Sequence, residues 1–188
     1  MLSGRRLDLL DPTPDAIEID DIAHGLARVA RWNGQTKGAH AFSVAQHALI
    51  VEDIAHALNP GWPSEWRRAA LLHDAPEYVI GDLISPFKAA VGLDYKAFEL
   101  RLLAAIHRRF AVPDPLPDAV TAAIKTADQI AAYFEATVLA GFAVDEAAAF
   151  FGTPRLPADL AEGLAELTAR PPEQAHAQFL QRFVALST

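Results

Sequence analysis

The residues best suited to chemistry lie close together in the middle of the sequence. From His73 to Asp82 the chain carries one imidazole and three carboxylates, those of Asp74, Glu77 and Asp82. A helix turns about 100° per residue, so His73, Asp74 and Glu77 would share one face, which continues the apolar stripe of Leu72. Acid and imidazole groups directed inward require a metal, an ion pair or hydrogen bonds. The pattern predicts two metal ligands and a proton carrier, or alternatively a polar helix cap beside a solvated Glu77.

Two further polar residues interrupt predicted apolar helix faces. His47 falls on the inward stripe of one helix, and Asp128 lies one turn from Ile124 on the core face of another. An unpaired aspartate in that position would cost roughly several kcal/mol or become protonated. Judged singly, a histidine such as His47 is more often a hydrogen-bonded core residue than a ligand. Asp128 alone fits an N-cap, or an ion pair with Lys125, an arginine or a histidine, as well as it fits metal binding.

Together these positions form a candidate ligand set from three separate helices: His47, the His73–Asp74 pair and Asp128. Because the chain has no cysteine, a thiolate metal site is excluded. Two imidazoles and two carboxylates suit one divalent transition metal (Mn, Co, Ni, Fe or Zn) better than Mg²⁺ alone. At a six-coordinate ion, such a set would leave room for a substrate oxygen and a water molecule.

The positioning elements are predicted to be helices, because apolar residues recur at helical spacing and no useful strand alternation is found. The first helix should be capped by Asp20 or Asp21 and run to about Arg31. A central helix should start at Pro63-Ser64, and Pro76 should end or kink it just after Asp74. This break would free Glu77 to approach the His73–Asp74 pair. The other predicted helices are 44–58 with a Ser43 capping box, a short one starting at Ser85-Pro86, 94–110 with Asp94 as its cap, 118–139, 144–151, 157–169 and 171–186.

Composition limits the class of protein. With 188 residues and 20.3 kDa, the chain fits one all-α domain, 1–188. We divide it into an irregular N-terminal arm at 1–18, a core bearing the motifs at 20–140, and accessory helices at 141–188. A net charge of −8 without a basic run argues against duplex nucleic acid as a partner, but permits a small anionic substrate. No apolar run reaches bilayer length, which predicts a soluble cytoplasmic protein without a membrane partner.

The order His…His-Asp…Asp resembles that of the HD-domain metal-dependent phosphohydrolases. Over roughly residues 20–140 the sequence is similar to the bacterial 5′-deoxynucleotidase branch, although Gln46 and Pro76 depart from residues common there. The matching segments are Arg31-Trp32, Ser43-Val44-Ala45-Gln46-His47, Leu72-His73-Asp74-Ala75-Pro76-Glu77, Gly81-Asp82-Leu83 with Pro86 and Lys88, and Lys125-Thr126-Ala127-Asp128. The resemblance implies an HD-type helical bundle with the metal site between helices.

The same resemblance implies a homodimer and one metal ion, since only His107 lies between the His-Asp pair and the last aspartate. Its metal ligands would be His47, His73, Asp74 and Asp128.

The resemblance also implies the roles of the remaining site residues. Glu77 would position or deprotonate the attacking water, and Asp82 would act near the leaving oxygen or the sugar. Arg31 would contact the phosphate, Trp32 would wall the sugar and disfavour a 2′-hydroxyl, and Lys88 would be a second phosphate contact. The expected activity is hydrolysis of deoxynucleoside 5′-monophosphates by metal-activated water.

Two alternatives stay open. A related group cleaves deoxynucleoside triphosphates, and similar N-terminal segments, Leu7-Asp8-Leu9-Leu10-Asp11-Pro12 and Asp21-Ile22-Ala23-His24, occur there. The substrate could therefore be a triphosphate or another small phosphate ester. The alternative of another class is a non-catalytic module that binds nucleotide or metal. The presence of Glu77 and Asp82 argues against that module, because binding alone does not require a proton-transfer group.

Overall fold

A computed structural model of the chain describes residues 1–83 and 93–188. In these residues the fold is all-α, as predicted, and extended pairing is confined to one isolated bridge between Ala30 and Ser43. Lys88 and the helix expected to start at Ser85-Pro86 lie outside the described residues. The helices are α1 (Ile19–Leu26), α2 (Val44–Leu58), α3 (Ser64–Leu71), α4 (Glu77–Ile80), α5 (Leu93–Arg109), α6 (Asp118–Phe134), α7 (Val144–Phe151), α8 (Ala158–Ala165) and α9 (Pro172–Ala185).

Helix α2 is the element around which the core forms. It packs against α3, α6 and α9, and Val44, Val51 and Ile54 are completely buried in it. Leu26 of α1, Leu71 of α3 and Phe179 of α9 are buried in the same apolar cluster; in the sequence, these three helices flank α2 on both sides. The apolar residues that recur at helical spacing on these four helices therefore face one shared core.

The cap predicted for α1 is wrong, because Asp21 is used elsewhere. The helix begins at Ile19 after Glu18, and Asp21 is only 5% exposed. The Asp21 carboxylate accepts hydrogen bonds from Ser3 N (2.9 Å) and Ser3 Oγ (2.5 Å), which fastens the N-terminal arm. As predicted, that arm contains no α-helix, only a 3₁₀ turn at Pro14–Ala16.

Helix α1 also ends earlier than predicted, at Leu26 rather than near Arg31. The following backbone pairs with the segment before α2 instead of continuing the helix. Arg31 N donates to Phe42 O (2.8 Å), and Val44 N donates to Val29 O (3.0 Å). Arg31 and Trp32 therefore occupy a 3₁₀ turn region, Trp32–Gly34, rather than a helix end.

The central helix breaks as predicted, but several residues earlier. Helix α3 ends at Leu71, turns occupy residues 72–76, and Pro76 caps α4. The proline lacks an N–H and crowds the carbonyl four residues before it, which is that of Leu72. Consequently, His73 and Asp74 lie in a turn rather than on a helix face.

Most other predicted boundaries are confirmed, but the helix predicted at 157–169 ends at Ala165. Ser43 caps α2 by accepting from Gln46 N (3.3 Å). The side chain of Gln46 does not close a capping box, because it binds Thr168 O (3.1 Å) and Arg170 N (2.8 Å). Helix α5 begins at Leu93, so Asp94 lies inside its first turn rather than before it. Helix α6 continues to Leu139 through a π-helical turn, Glu135–Leu139. None of the helices in the described ranges is long and apolar enough to span a membrane.

A substitution at Gly25 would test the close packing of α1 on α4. A Cβ atom there would lie 2.7 Å from Tyr78 O and 2.8 Å from Tyr78 Cβ. Because the clash is with backbone, we expect Gly25→Ala to lower the free energy of unfolding by roughly 1–3 kcal/mol. The matched control is Gly163→Ala in α8, where nothing lies within 4 Å and a gain of about 0.5–1 kcal/mol is expected. Chemical denaturation measures both, and equal effects would contradict the close contact.

Candidate metal centre

The predicted ligands converge on one ring nitrogen of His47. This side chain is completely buried in the middle of the fold. Its Nε2 atom lies 3.3 Å from Nε2 of His73 and 3.3 Å from Oδ1 of Asp128. The same atom lies 3.4 Å from Oδ2 of Asp74, which is also 3.2 Å from Nε2 of His73. Three segments distant in sequence therefore meet at a single point.

Both imidazoles are oriented for metal binding through Nε2. Nδ1 of His47 donates to Oε1 of Glu135 (2.5 Å), and Nδ1 of His73 donates to the backbone oxygen of Ala70 (2.8 Å). A carbonyl oxygen can only accept, so the hydrogen of His73 is fixed on Nδ1. Such an acceptor on the far ring nitrogen is the usual outer support of metal-binding histidines.

The donor set and its spacing fit a metal ion. One ligand atom each from His47, His73 and Asp128 lie within 4.8 Å of one another, and this cluster could hold a metal. At an ion with bonds of roughly 2.1 Å, adjacent ligand atoms are about 3 Å apart. The separations of 3.2–3.4 Å among the ligand atoms of His47, His73, Asp74 and Asp128 are close to that value. Asp74 borders this group through His47 and His73.

Charges in the centre stabilise one another. Burial and the charge of Arg31 lower the pKa of His47, but the charge of Glu135 and the hydrogen bonds that His47 donates to Asp128 and Asp74 raise it well above its ordinary value. Burial raises the pKa of Asp74, but His73 and His47 hold it well below the ordinary value. Burial likewise raises the pKa of Asp128, and the hydrogen bond and charge of His47 lower it overall. The metal-free centre thus holds a protonated imidazole among carboxylates.

Glu135 is a site residue that the sequence analysis missed. It is completely buried, and its Oε2 accepts from Nε of Arg31 (2.8 Å) and Nε1 of Trp32 (2.9 Å). Burial raises the pKa of Glu135, but the charges of Arg31 and His47 lower it to about 2. A signal was present: Glu135 follows Asp128 by seven residues, which places both on one helix face.

The predicted phosphate and sugar contacts lie beside the cluster. The Arg31 side chain is 12% exposed, and its Nη1 lies 3.8 Å from Oδ2 of Asp74 and 3.9 Å from Oδ2 of Asp82. Trp32 packs edge-to-face with Phe142 and Phe151, at centroid distances of 5.5 and 6.1 Å. Arg31 and Asp82 are therefore brought to the centre, and Trp32 extends it toward aromatic side chains.

Glu77 is the first residue of α4 and is 2% exposed. Its backbone N–H donates to Asp74 O (3.0 Å), which ties it to the turn that carries the ligands. Lys88, the second predicted phosphate contact, lies outside the described residues. His107, the histidine that lies in sequence between the His-Asp pair and Asp128, is 3% exposed, and burial lowers its pKa.

These observations define an all-α protein with a buried histidine–aspartate cluster that could hold a metal ion. No family model matches the sequence. It is 56% identical over 182 residues to an uncharacterized protein of Rhodobacter capsulatus, covering 97% of this chain and 91% of that protein. It is 30% identical over 173 residues to the uncharacterized protein YfdR of Escherichia coli, covering 92% and 86%. The chain belongs to the family that includes these two proteins.

Metal binding should release a proton, because the pKa of His47 is raised and its Nε2 must be deprotonated to coordinate. We expect about one proton released per Co²⁺ at pH 7, and an affinity that falls by up to about tenfold per pH unit on acidification. Calorimetric titration in buffers of different ionisation enthalpy measures the release.

The control for this titration is His176→Gln. His176 contacts Asp20 (3.1 Å) and is outside the cluster, so its loss should leave the proton count unchanged. Binding of Co²⁺ without proton release would contradict the expected charge state of His47.

Proposed function

We propose that the protein is an HD-type, metal-dependent phosphohydrolase that cleaves the phosphate ester of deoxynucleoside 5′-monophosphates. The observation that carries the proposal is the meeting of Nε2 of His47 and Nε2 of His73, 3.3 Å apart, next to Asp128 and within reach of Arg31. A buried metal site with a cation at its edge supports phosphate-ester chemistry, because the substrate and its transition state are both anionic.

The proposed ligands are His47, His73, Asp74 and Asp128, which would hold one divalent transition metal (Mn, Co, Ni, Fe or Zn). Asp74 is included because its Oδ2 contacts both imidazole Nε2 atoms, at 3.4 and 3.2 Å. When bound, such an ion polarises a phosphoryl oxygen and makes a water molecule more acidic. Nothing in the donor set selects among the five metals.

Arg31 is the proposed phosphate contact. Glu135 binds its Nε and so fixes the guanidinium plane, while Nη1 is directed toward the cluster. The separations from Nη1 to Asp74 and Asp82, 3.8 and 3.9 Å, are too long for hydrogen bonds. A phosphate oxygen can therefore take this N–H without displacing a short ion pair, and a guanidinium binds phosphate well.

Glu77 and Asp82 are the proposed catalytic carboxylates. Glu77 is buried next to the ligand turn, where a carboxylate can take the proton of the attacking water. Asp82 faces the same guanidinium group as Asp74 and would act near the leaving oxygen or the sugar. Trp32 would wall the sugar and Lys88 would add a second phosphate contact, both by resemblance to the family named above.

The demand on such a site is large, since uncatalysed phosphomonoester hydrolysis is accelerated by up to about 10²¹-fold in enzymes. We expect orthophosphate release from deoxynucleoside 5′-monophosphates in the presence of Mn²⁺, Co²⁺ or Ni²⁺. His73→Ala and Asp128→Ala should abolish it together with metal binding. Glu77→Gln should lower kcat by about 10²–10⁴-fold and leave Co²⁺ affinity nearly unchanged.

His176→Gln is the matched control and should retain full activity, because this residue contacts Asp20 and not the cluster. A purified, metal-loaded protein that hydrolyses none of the nucleotides would contradict the proposed activity. Unchanged turnover in Glu77→Gln would contradict the role of that carboxylate alone.

A deoxynucleoside triphosphate is the second candidate substrate, favoured by the similarity of the N-terminal arm to triphosphate-cleaving proteins. Asp21 holds this arm in place through Ser3. Product analysis separates the two: a monophosphate gives orthophosphate, whereas a triphosphate cleaved at its ester bond gives tripolyphosphate. We expect orthophosphate, and ³¹P spectroscopy of the products decides.

A further inference from the structure

We infer that Glu135 is a positioning residue that couples the metal centre to the arginine that binds the substrate anion. The inference rests on the function proposed above, because it takes His47 as a metal ligand and Arg31 as a phosphate contact. Glu135 is not part of any of the sequence motifs described above.

The two oxygens of Glu135 serve different partners. Oε1 accepts only from Nδ1 of His47 (2.5 Å), among the contacts of the described residues. Oε2 accepts from both Nε of Arg31 (2.8 Å) and Nε1 of Trp32 (2.9 Å). Because Glu135 is 0% exposed, water cannot take the place of its oxygens as hydrogen-bond acceptor for His47, Arg31 or Trp32. One rigid group therefore sets the orientation of a metal ligand and of the phosphate contact.

The placement of Glu135 follows from α6 and its continuation. Asp128 and Glu135 are seven residues apart on one face and contact the two ring nitrogens of His47 from opposite sides. Glu135 begins a π-helical turn, in which Ala140 N donates to Glu135 O (3.0 Å) five residues back. Such turns are frequent at functional sites, where they redirect a side chain.

Glu135 is not itself placed to bind the metal. It contacts Nδ1, whereas the cluster gathers around Nε2 on the other side of the imidazole ring. A direct ligand role would require the ring to turn over, which would remove Nε2 from His73 and Asp128. Its action is therefore through His47 and Arg31.

Loss of the Glu135 charge should allow Arg31 to move. Its Nη1 already lies 3.8 Å from Asp74 and 3.9 Å from Asp82, and a shift of about 1 Å would form a short ion pair. That pair would draw Asp74 away from the imidazoles and occupy the N–H that phosphate requires. Metal and phosphate affinity should therefore fall together, and the presence of one ligand should no longer strengthen binding of the other.

The experiment compares wild type with Glu135→Gln, which keeps the shape but loses the charge, and with Glu162→Gln, an exposed glutamate on α8, as the control. Calorimetry gives the Kd of Co²⁺ and the Kd of inorganic phosphate for the Co²⁺-loaded protein, and the Co²⁺ visible spectrum reports the ligand set. We expect Glu135→Gln to weaken Co²⁺ binding about 10–100-fold, to change the spectrum and to weaken phosphate binding. Co²⁺ and phosphate affinities within twofold of wild type would overturn the inference.

A second variant covers the case in which Glu135→Gln does not fold. Trp32→Phe keeps the ring packing but removes one donor from Oε2, the oxygen that Trp32 shares with Arg31. It should weaken phosphate binding several-fold and change Co²⁺ binding less than twofold, because Oε1 alone holds His47. Equal changes in both affinities, or none in phosphate affinity, would overturn the inference.

These measurements do not depend on turnover. If wild type cleaves no nucleotide but Glu135→Gln shows the paired losses, the hydrolase proposal fails and the coupling stands. If wild type cleaves nucleotides, and Glu135→Gln has the wild-type Co²⁺ affinity, phosphate affinity and Co²⁺ spectrum, the coupling fails and the hydrolase proposal stands.

Discussion

The imidazole of His47 is the interaction centre on which the rest of the site depends. Its ring is completely buried, and both nitrogens have acidic partners supplied by α6 and its continuation. A buried imidazolium is stable only when it is closely paired, and the carboxylates are stable for the same reason. The packing of α2 against α6 therefore also brings His47 to its acidic partners. A substitution that shifts these two helices would disturb the apolar core and the candidate metal site together.

The break between α3 and α4 supplies the other half of the centre. Because Pro76 cannot continue a helix, residues 72–76 form turns, and His73 and Asp74 leave the helix axis to face His47. The hydrogen bond from His73 Nδ1 to Ala70 O then fixes the ring on the end of α3. A rigid helix end and a constrained turn together hold a ligand pair that an uninterrupted helix would have spread along its face.

The sequence predicted the helical class, most helix positions and the convergence of His47, His73 and Asp128, because polar residues on apolar stripes must find partners. It did not reveal Glu135, which stands beside Phe134 at the end of a long helix, where an exposed glutamate is ordinary. Asp21 was mistaken for a cap for a similar reason: its true partner, Ser3, is distant in sequence. Glu52 was not recognised in the sequence as a core residue, yet it is completely buried between Arg67 and Arg182. Each error concerns a charge whose partner is distant along the chain.

The ties between α2 and the C-terminal helices have a consequence for how this protein can be shortened. Gln46, next to His47, is hydrogen-bonded to Thr168 and Arg170, and Glu52, six residues later, is paired with Arg182 of α9. Deleting the last three helices would leave the buried Gln46 amide without these partners and the buried Glu52 carboxylate with Arg67 alone. Each unsatisfied buried polar group costs roughly 1–3 kcal/mol. The segment after residue 140 carries none of the motifs, but it supplies partners to buried polar groups of α2. A protein truncated after residue 140 would therefore be less stable than the full chain.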